Sequence, residues 1–180
     1  MVDCTDWGHG GYQSAQNCQT IFNADVEKNT MFSIHMYEYG GGTKGEVKGQ
    51  IDAFLNKNVP IVVGEFGQRG SGHTEVDYIM EYCQQVGVGY LAWSWQGNTK
   101  GTSDEILDMT TNWGVSGLTE AGKKIVNGTY GIKNTSVKCS LFGGSGSDDS
   151  SSGGNDPTAT VLHTWTAPAS DKASGWDSVP

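Results

Sequence analysis

Strand-like runs begin near residues 30, 60 and 88 of the 180-residue chain, and that spacing limits the fold more than any other feature. TMFSIHMY (30–37) is β-branched and aromatic, PIVVGEF (60–66) is short and apolar, and VGYLAWSW (88–95) is the third run. Val47, Ile51, Phe54 and Leu55 recur at helical spacing after the first, and Val76, Ile79, Met80, Cys83 and Val86 after the second. A repeat of about 30 residues is one βα unit, so an α/β fold with a helix-covered parallel sheet is expected. SAQNCQTIFNA (14–24) reads as an earlier helix and Met1-Val2-Asp3 as the end of a strand before it. LTEAGKKIVNG (118–128), opened by Thr119 or by the loop before it, reads as a last short helix. A closed (β/α)8 barrel needs about 250 residues. Three full units and part of a fourth amount to about half of one.

The unit pattern stops near residue 142. GGSGSDDSSSGGND (143–156) contains only Gly, Ser, Asp and Asn, cannot bury a core, and is expected to be a flexible linker. Residues 157–180, with Trp165 and Trp176, are too few to fold alone and read as the truncated start of a further module, expected to bind carbohydrate. Eleven basic residues, unclustered in a chain of net charge −9, supply no patch for nucleic acid or an anionic membrane. No apolar run reaches the roughly 20 residues of a membrane span, and the first residues lack the basic and apolar regions of a secretory signal.

Four cysteines (Cys4, Cys18, Cys83, Cys139) show no C-x-x-C pair, and the four histidines (His9, His35, His73, His163) are scattered, so neither a metal nor another cofactor is expected. Spacing alone leaves Cys4 and Cys18 open as a disulfide or as separate buried thiols.

GGGTKG (40–45) matches the glycine pattern of a dinucleotide-binding turn, with Glu65 twenty residues beyond Gly45. However, the strand before it runs into His35, Tyr37, Glu38 and Tyr39, whose bulk and negative charge do not suit a pyrophosphate, so a flexible βα loop is the preferred reading. Parallel α/β folds place their chemistry at the C-terminal ends of the strands. Those ends carry His35 and Tyr37, then Glu65, then Trp93 and Trp95: one carboxylate among aromatics and an imidazole. Such a set suits a neutral sugar, because aromatic faces stack on pyranose rings while a carboxylate attacks or stabilises an oxocarbenium-like centre. Strand alternation would send Trp93 and Trp95 to opposite faces and keep His35 and Tyr37 on one.

FSIHMYEY, NKNVPIVVGEFG and GVGYLAWSWQGN, in that order, resemble strands six, seven and eight of a glycoside hydrolase family 5 barrel, most closely that of the bacterial endo-β-1,4-mannanases. MVDCTDWG resembles the end of strand five, and TTNWGVSGLTEAGKKIVNGTYGIK the closing loop and helix. The resemblance covers about residues 1 to 137. It implies a partial (β/α)8 barrel, approximately strands five to eight, spanning residues 1–142, and retaining hydrolysis of internal β-1,4-mannosidic bonds in a plant polysaccharide outside the cell. By matched position, Glu65 takes the nucleophile's place, His35 and Tyr37 flank it with the tyrosine able to hydrogen-bond it, and Trp93 matches the sugar platform. Trp7, in the loop after strand five, is a further candidate for substrate contact. The family's proton donor lies in an Asn-Glu-Pro motif ending strand four, and no such motif occurs here. Asp3 and Glu38 are the other acids near strand ends, and neither matches the donor. The expectation is therefore the C-terminal half of a longer mannanase, inactive alone. An endoglucanase of the same family, or a chain that binds carbohydrate without catalysis, are the alternatives.

Overall fold

The computed structural model describes residues 1–9, 11–70 and 72–137; the expected linker and the Trp165–Trp176 stretch lie outside the described residues. Four parallel strands form one sheet in the order β1 (Val2–Asp3), β2 (Phe32–Met36), β3 (Ile61–Phe66), β4 (Gly89–Tyr90). Helices α1 (Gly11–Ala24), α2 (Lys44–Leu55) and α3 (Val76–Val86) are the crossovers, and α4 (Glu120–Asn127) and α5 (Ile132–Thr135) follow the last strand. Sequence order equals spatial order, as in consecutive units of a barrel wall.

The helices start and stop where local chemistry dictates. Thr43 accepts from the Glu46 backbone N–H while the Glu46 carboxylate accepts from Thr43 N, a reciprocal capping box. The N-terminus of α2 is thus already occupied by the chain's own carboxylate, which fits a βα loop rather than a phosphate cradle. Thr119 caps α4 by accepting from Gly122 N, and the preceding loop holds Thr119 in place, its hydroxyl donating to Asp108 O at 2.7 Å and its N–H to Met109 O at 3.1 Å. Gly87, in the left-handed region at φ 71°, ends α3.

One face of the sheet packs on the helices. Phe32, Ile34 and Met36 of β2 and Ile61, Val63 and Phe66 of β3 form a single buried cluster with Val47, Ile51 and Phe54 of α2 and Ile79, Met80 and Cys83 of α3. Ser33 and His35 are also buried, but they alternate onto the opposite face. β4 is shorter than the eight-residue run suggested. Beyond Tyr90 the chain still bonds to β3 through Leu91 N to Val63 O (2.8 Å) and Trp93 N to Phe66 O (2.9 Å), but it has no partner on its other side among the described residues, and regular pairing lapses.

Cys4 and Cys18 are both buried free thiols whose sulfurs hydrogen-bond at 3.5 Å, so the spacing that left them ambiguous does bring them together. Burial pushes the Cys4 and Cys18 thiols up, and it pushes the fully buried Cys83 up to about 12. Between the ordinary thiol value and that of the folded state, the unfolded chain loses the proton and the native one keeps it. Stability is therefore fully present below the ordinary value and falls as pH rises above it. The expected loss from Cys83 between pH 8 and 10.5 is on the order of 2 kcal/mol, or about 5 °C in melting temperature. Cys83→Ala should flatten that slope in a thermal melt series, and an unchanged slope would contradict the assignment.

Candidate active site

The register of β2 against β3 contains one irregularity. Ile34 pairs with Val63 and His35 with Glu65, so Gly64 is an extra, unpaired residue on β3. Strict alternation from Ile61 would put Glu65 among the apolar residues facing the helices and Phe66 on the other side. The bulge shifts the parity by one. Phe66 enters the core and Glu65 emerges beside His35. Glycine is needed at this position: a Cβ on Gly64 would lie 2.1 Å from the Ser33 hydroxyl.

Three sequence-predicted residues converge here. Tyr37 Oη donates to Glu65 Oε2 at 3.0 Å, and His35 Nδ1 lies 3.6 Å from the same oxygen. Burial first, and then the negative charge of Glu65, raise the Tyr37 phenol well above its usual range, so it stays a donor at any physiological pH. The imidazole is itself wedged in place: its backbone N–H donates to Gly8 O at 3.0 Å, and a Cβ on Gly8 (φ 84°) would meet the ring at 2.4 Å. On its other edge, Nε2 is 3.4 Å from Asp3 Oδ1. His9, one of the scattered histidines of the sequence, adds an edge-on wall, its ring centroid 6.2 Å from that of His35 and 6.1 Å from that of Tyr37.

Arg69, which sequence reasoning passed over, lies with its guanidinium 5.7 Å from the Tyr37 ring centre. It donates from Nε to Asp104 at 2.9 Å and lies 3.7 Å from Glu38. Glu38 Oε1 is thus within ion-pair range of Arg69, while its buried Oε2 has no hydrogen-bond partner.

Trp93 stands 45% exposed three residues past the end of β4, its indole Nε1 donating to Asn98 Oδ1 at 3.3 Å. Asn98 is in turn fixed by Asp108 and Ser94. Trp95 turns to the following loop and donates from Nε1 to Trp113 O at 2.9 Å. Both tryptophans lie past the regular strand, so the alternation argument does not govern them. Trp7 is 87% exposed with a left-handed backbone (φ 52°), and no hydrogen bond or ring contact joins it to Glu65 among the described residues. No cluster of three metal-ligating side chains occurs among the described residues.

A carboxylate hydrogen-bonded by a phenol at the C-terminal rim of parallel strands, with an exposed tryptophan past the end of the next one, is an arrangement that fits the glycoside hydrolases built on (β/α)8 barrels. Residues 1–99 match the family model described as cellulase, glycosyl hydrolase family 5. The chain belongs to glycosyl hydrolase family 5. It is 42% identical over 143 residues to a mannan endo-1,4-beta-mannosidase of Salipaludibacillus agaradhaerens, a match spanning 79% of this chain and 46% of that protein. It is 39% identical over 183 residues to one of Cellvibrio japonicus, spanning 99% and 42%. The structure of the beta-mannanase from Streptomyces thermolilacinus with mannohexaose superposes with a TM-score of 0.69 at 31% identity, over 79% of this chain and 47% of that one. The chain spans less than half the length of these relatives.

Proposed function

We propose that this chain carries the nucleophile half of a retaining β-1,4-mannan hydrolase site and binds mannan without turning it over on its own. Glu65 is the nucleophile. Tyr37 orients it and stabilises its charge, His35 fixes the opposite side, Trp93 is the platform for the sugar at the cleaved bond, and Trp7 contacts the polymer farther out. The observation that carries this reading is the Tyr37 hydroxyl 3.0 Å from Glu65 Oε2, on a face that the Gly64 bulge provides. Retaining hydrolysis needs a second carboxyl group about 5 Å from the first to protonate the leaving oxygen. Asp3 lies beyond the far edge of the His35 ring and Glu38 pairs with Arg69, so neither serves as that acid. Losing general-acid help costs about 10² to 10⁴-fold. The relatives named mannan endo-1,4-beta-mannosidase support mannan as the polymer, which is too large to enter a cell, so the protein would act outside it.

Calorimetric titration of the 180-residue chain with mannohexaose and cellohexaose tests the reading. Mannohexaose should bind more tightly, and insoluble mannan should release no reducing sugar. Preference for cellohexaose would move the chain to the endoglucanases. Sugar release from mannan would show that a proton donor is present after all.

A further inference from the structure

Trp113 is left unused by the site described above, yet the chain goes to some length to display it. Its side chain is 65% exposed, and its backbone sits at φ 62°, where a bulky residue is an outlier. The strand end that carries the platform holds both of its backbone polar groups. Trp113 N donates to Gln96 Oε1 at 2.7 Å, and Trp113 O accepts from Trp95 Nε1 at 2.9 Å.

The flanking loop is pinned as well, by Thr110 Oγ1 to Gly114 O (2.8 Å) and Gly114 N to Asn112 Oδ1 (3.0 Å). The indole lies beside the turn that leads from Trp95 to Asn98: a Cβ added to Gly97 would be 3.8 Å from its outer edge. Asn98 is the residue that holds the Trp93 indole. A flat apolar ring on a pinned loop, beside the turn that leads to Asn98, offers a face on which a sugar ring can stack.

Across the C-terminal edge of the sheet the order is Trp7 after β1, His35 and Tyr37 from β2, Glu65 from β3 and Trp93 after β4, and Trp113 is tied by hydrogen bonds to Trp95 and Gln96, just beyond Trp93 in the chain. We infer that Trp113 is a second stacking platform, which takes a sugar unit of the β-1,4-mannan chain farther from the cleaved bond than the one on Trp93. The inference rests on the mannan reading above. Its signature is dependence on ligand length: a platform farther along the polymer adds to the binding of a long oligosaccharide and little to that of a short one seated at Glu65 and Trp93.

The test titrates the 180-residue chain and its Trp113→Ala and Trp113→Phe variants with mannotriose and mannohexaose. Trp113→Ala should weaken mannohexaose about tenfold, the worth of one aromatic face, and mannotriose less than about twofold. Trp113→Phe, which keeps a flat ring, should recover most of the hexaose affinity. Undiminished hexaose binding in Trp113→Ala overturns the inference. An equal loss for both ligands also overturns it, because it would make Trp113 a support of the loop. A wild-type chain that binds neither ligand defeats the mannan reading and this inference with it, whereas binding that ignores Trp113 defeats only the inference.

Discussion

Mixed with a β-mannobioside of 2,4-dinitrophenol, the 180-residue chain should release one equivalent of dinitrophenolate and then stall. Such a leaving group departs with its electron pair and needs no proton, so the first step calls for no general acid. The bond from the anomeric carbon to the aryl oxygen breaks as one to Glu65 forms, and the mannobiosyl group stays on the enzyme. Hydrolysis of that ester needs a water activated by a general base, which neither Asp3, across His35, nor Glu38, paired to Arg69, is placed to provide. The burst should therefore end at one equivalent, with the added mass on the peptide that contains Glu65. Azide, an anion that needs no base, should restore turnover. Glu65→Gln should abolish the burst, by at least about 10³-fold, because the amide cannot attack. A burst of equal size in Glu65→Gln would place the nucleophile elsewhere, and steady turnover without azide would reveal a base in the chain.

The parts of this site that could be read from the sequence are those set by residue type and period. The 30-residue repeat gave a parallel sheet, and H-x-Y followed by a strand ending in Glu-Phe put an imidazole, a phenol and a carboxylate at adjacent strand ends. What could not be read depends on register or on loop closure. Nothing in IVVGEF announces that Gly64 is skipped in the ladder, because a bulge is decided by the space beside Ser33 on another strand. VGYLAWSW has the composition of a full strand, yet only Gly89 and Tyr90 pair regularly, and the bonds of Leu91 and Trp93 to β3 fall outside a continuous ladder. Trp113 lies in a stretch of Thr, Asn and Gly that reads as plain loop, and its display depends on Gln96 and Trp95, 17 and 18 residues earlier. Thr43-Lys-Gly-Glu46 is by contrast legible as the capping-box pattern of a helix start, inside the very segment whose glycines resemble a nucleotide turn.

The dependence of Glu65 on Gly64 leads to the second large effect. Gly64→Ala should cost about 2 to 3 kcal/mol, as inserted atoms in packed interiors do, and should slow the dinitrophenolate burst about 10²-fold, the usual price of moving a reacting group by an ångström. The added methyl would fall 2.1 Å from Ser33 Oγ and 3.1 Å from Ser33 Cβ, so either β2 retreats or the bulge unwinds. Both movements act on Glu65, which reaches the His35 face only because Gly64 is left unpaired. Ser33 is buried and so cannot rotate into solvent to relieve the contact. Loss of stability and loss of rate can be separated with Ser33→Gly, which removes both atoms in the way. The double variant Ser33→Gly/Gly64→Ala should regain most of the burst rate of Ser33→Gly alone, and since one change adds a glycine and the other removes one, their effects on the freedom of the unfolded chain offset. If Gly64→Ala folds with an unchanged burst, Glu65 owes its position to something other than the bulge. If the double variant is as slow as Gly64→Ala, the obstruction does not come from Ser33. The Tyr37 contact supplies an independent readout: displacement of Glu65 removes the charge that helps keep the phenol protonated, so tyrosinate absorbance should develop at lower pH in Gly64→Ala than in the wild type.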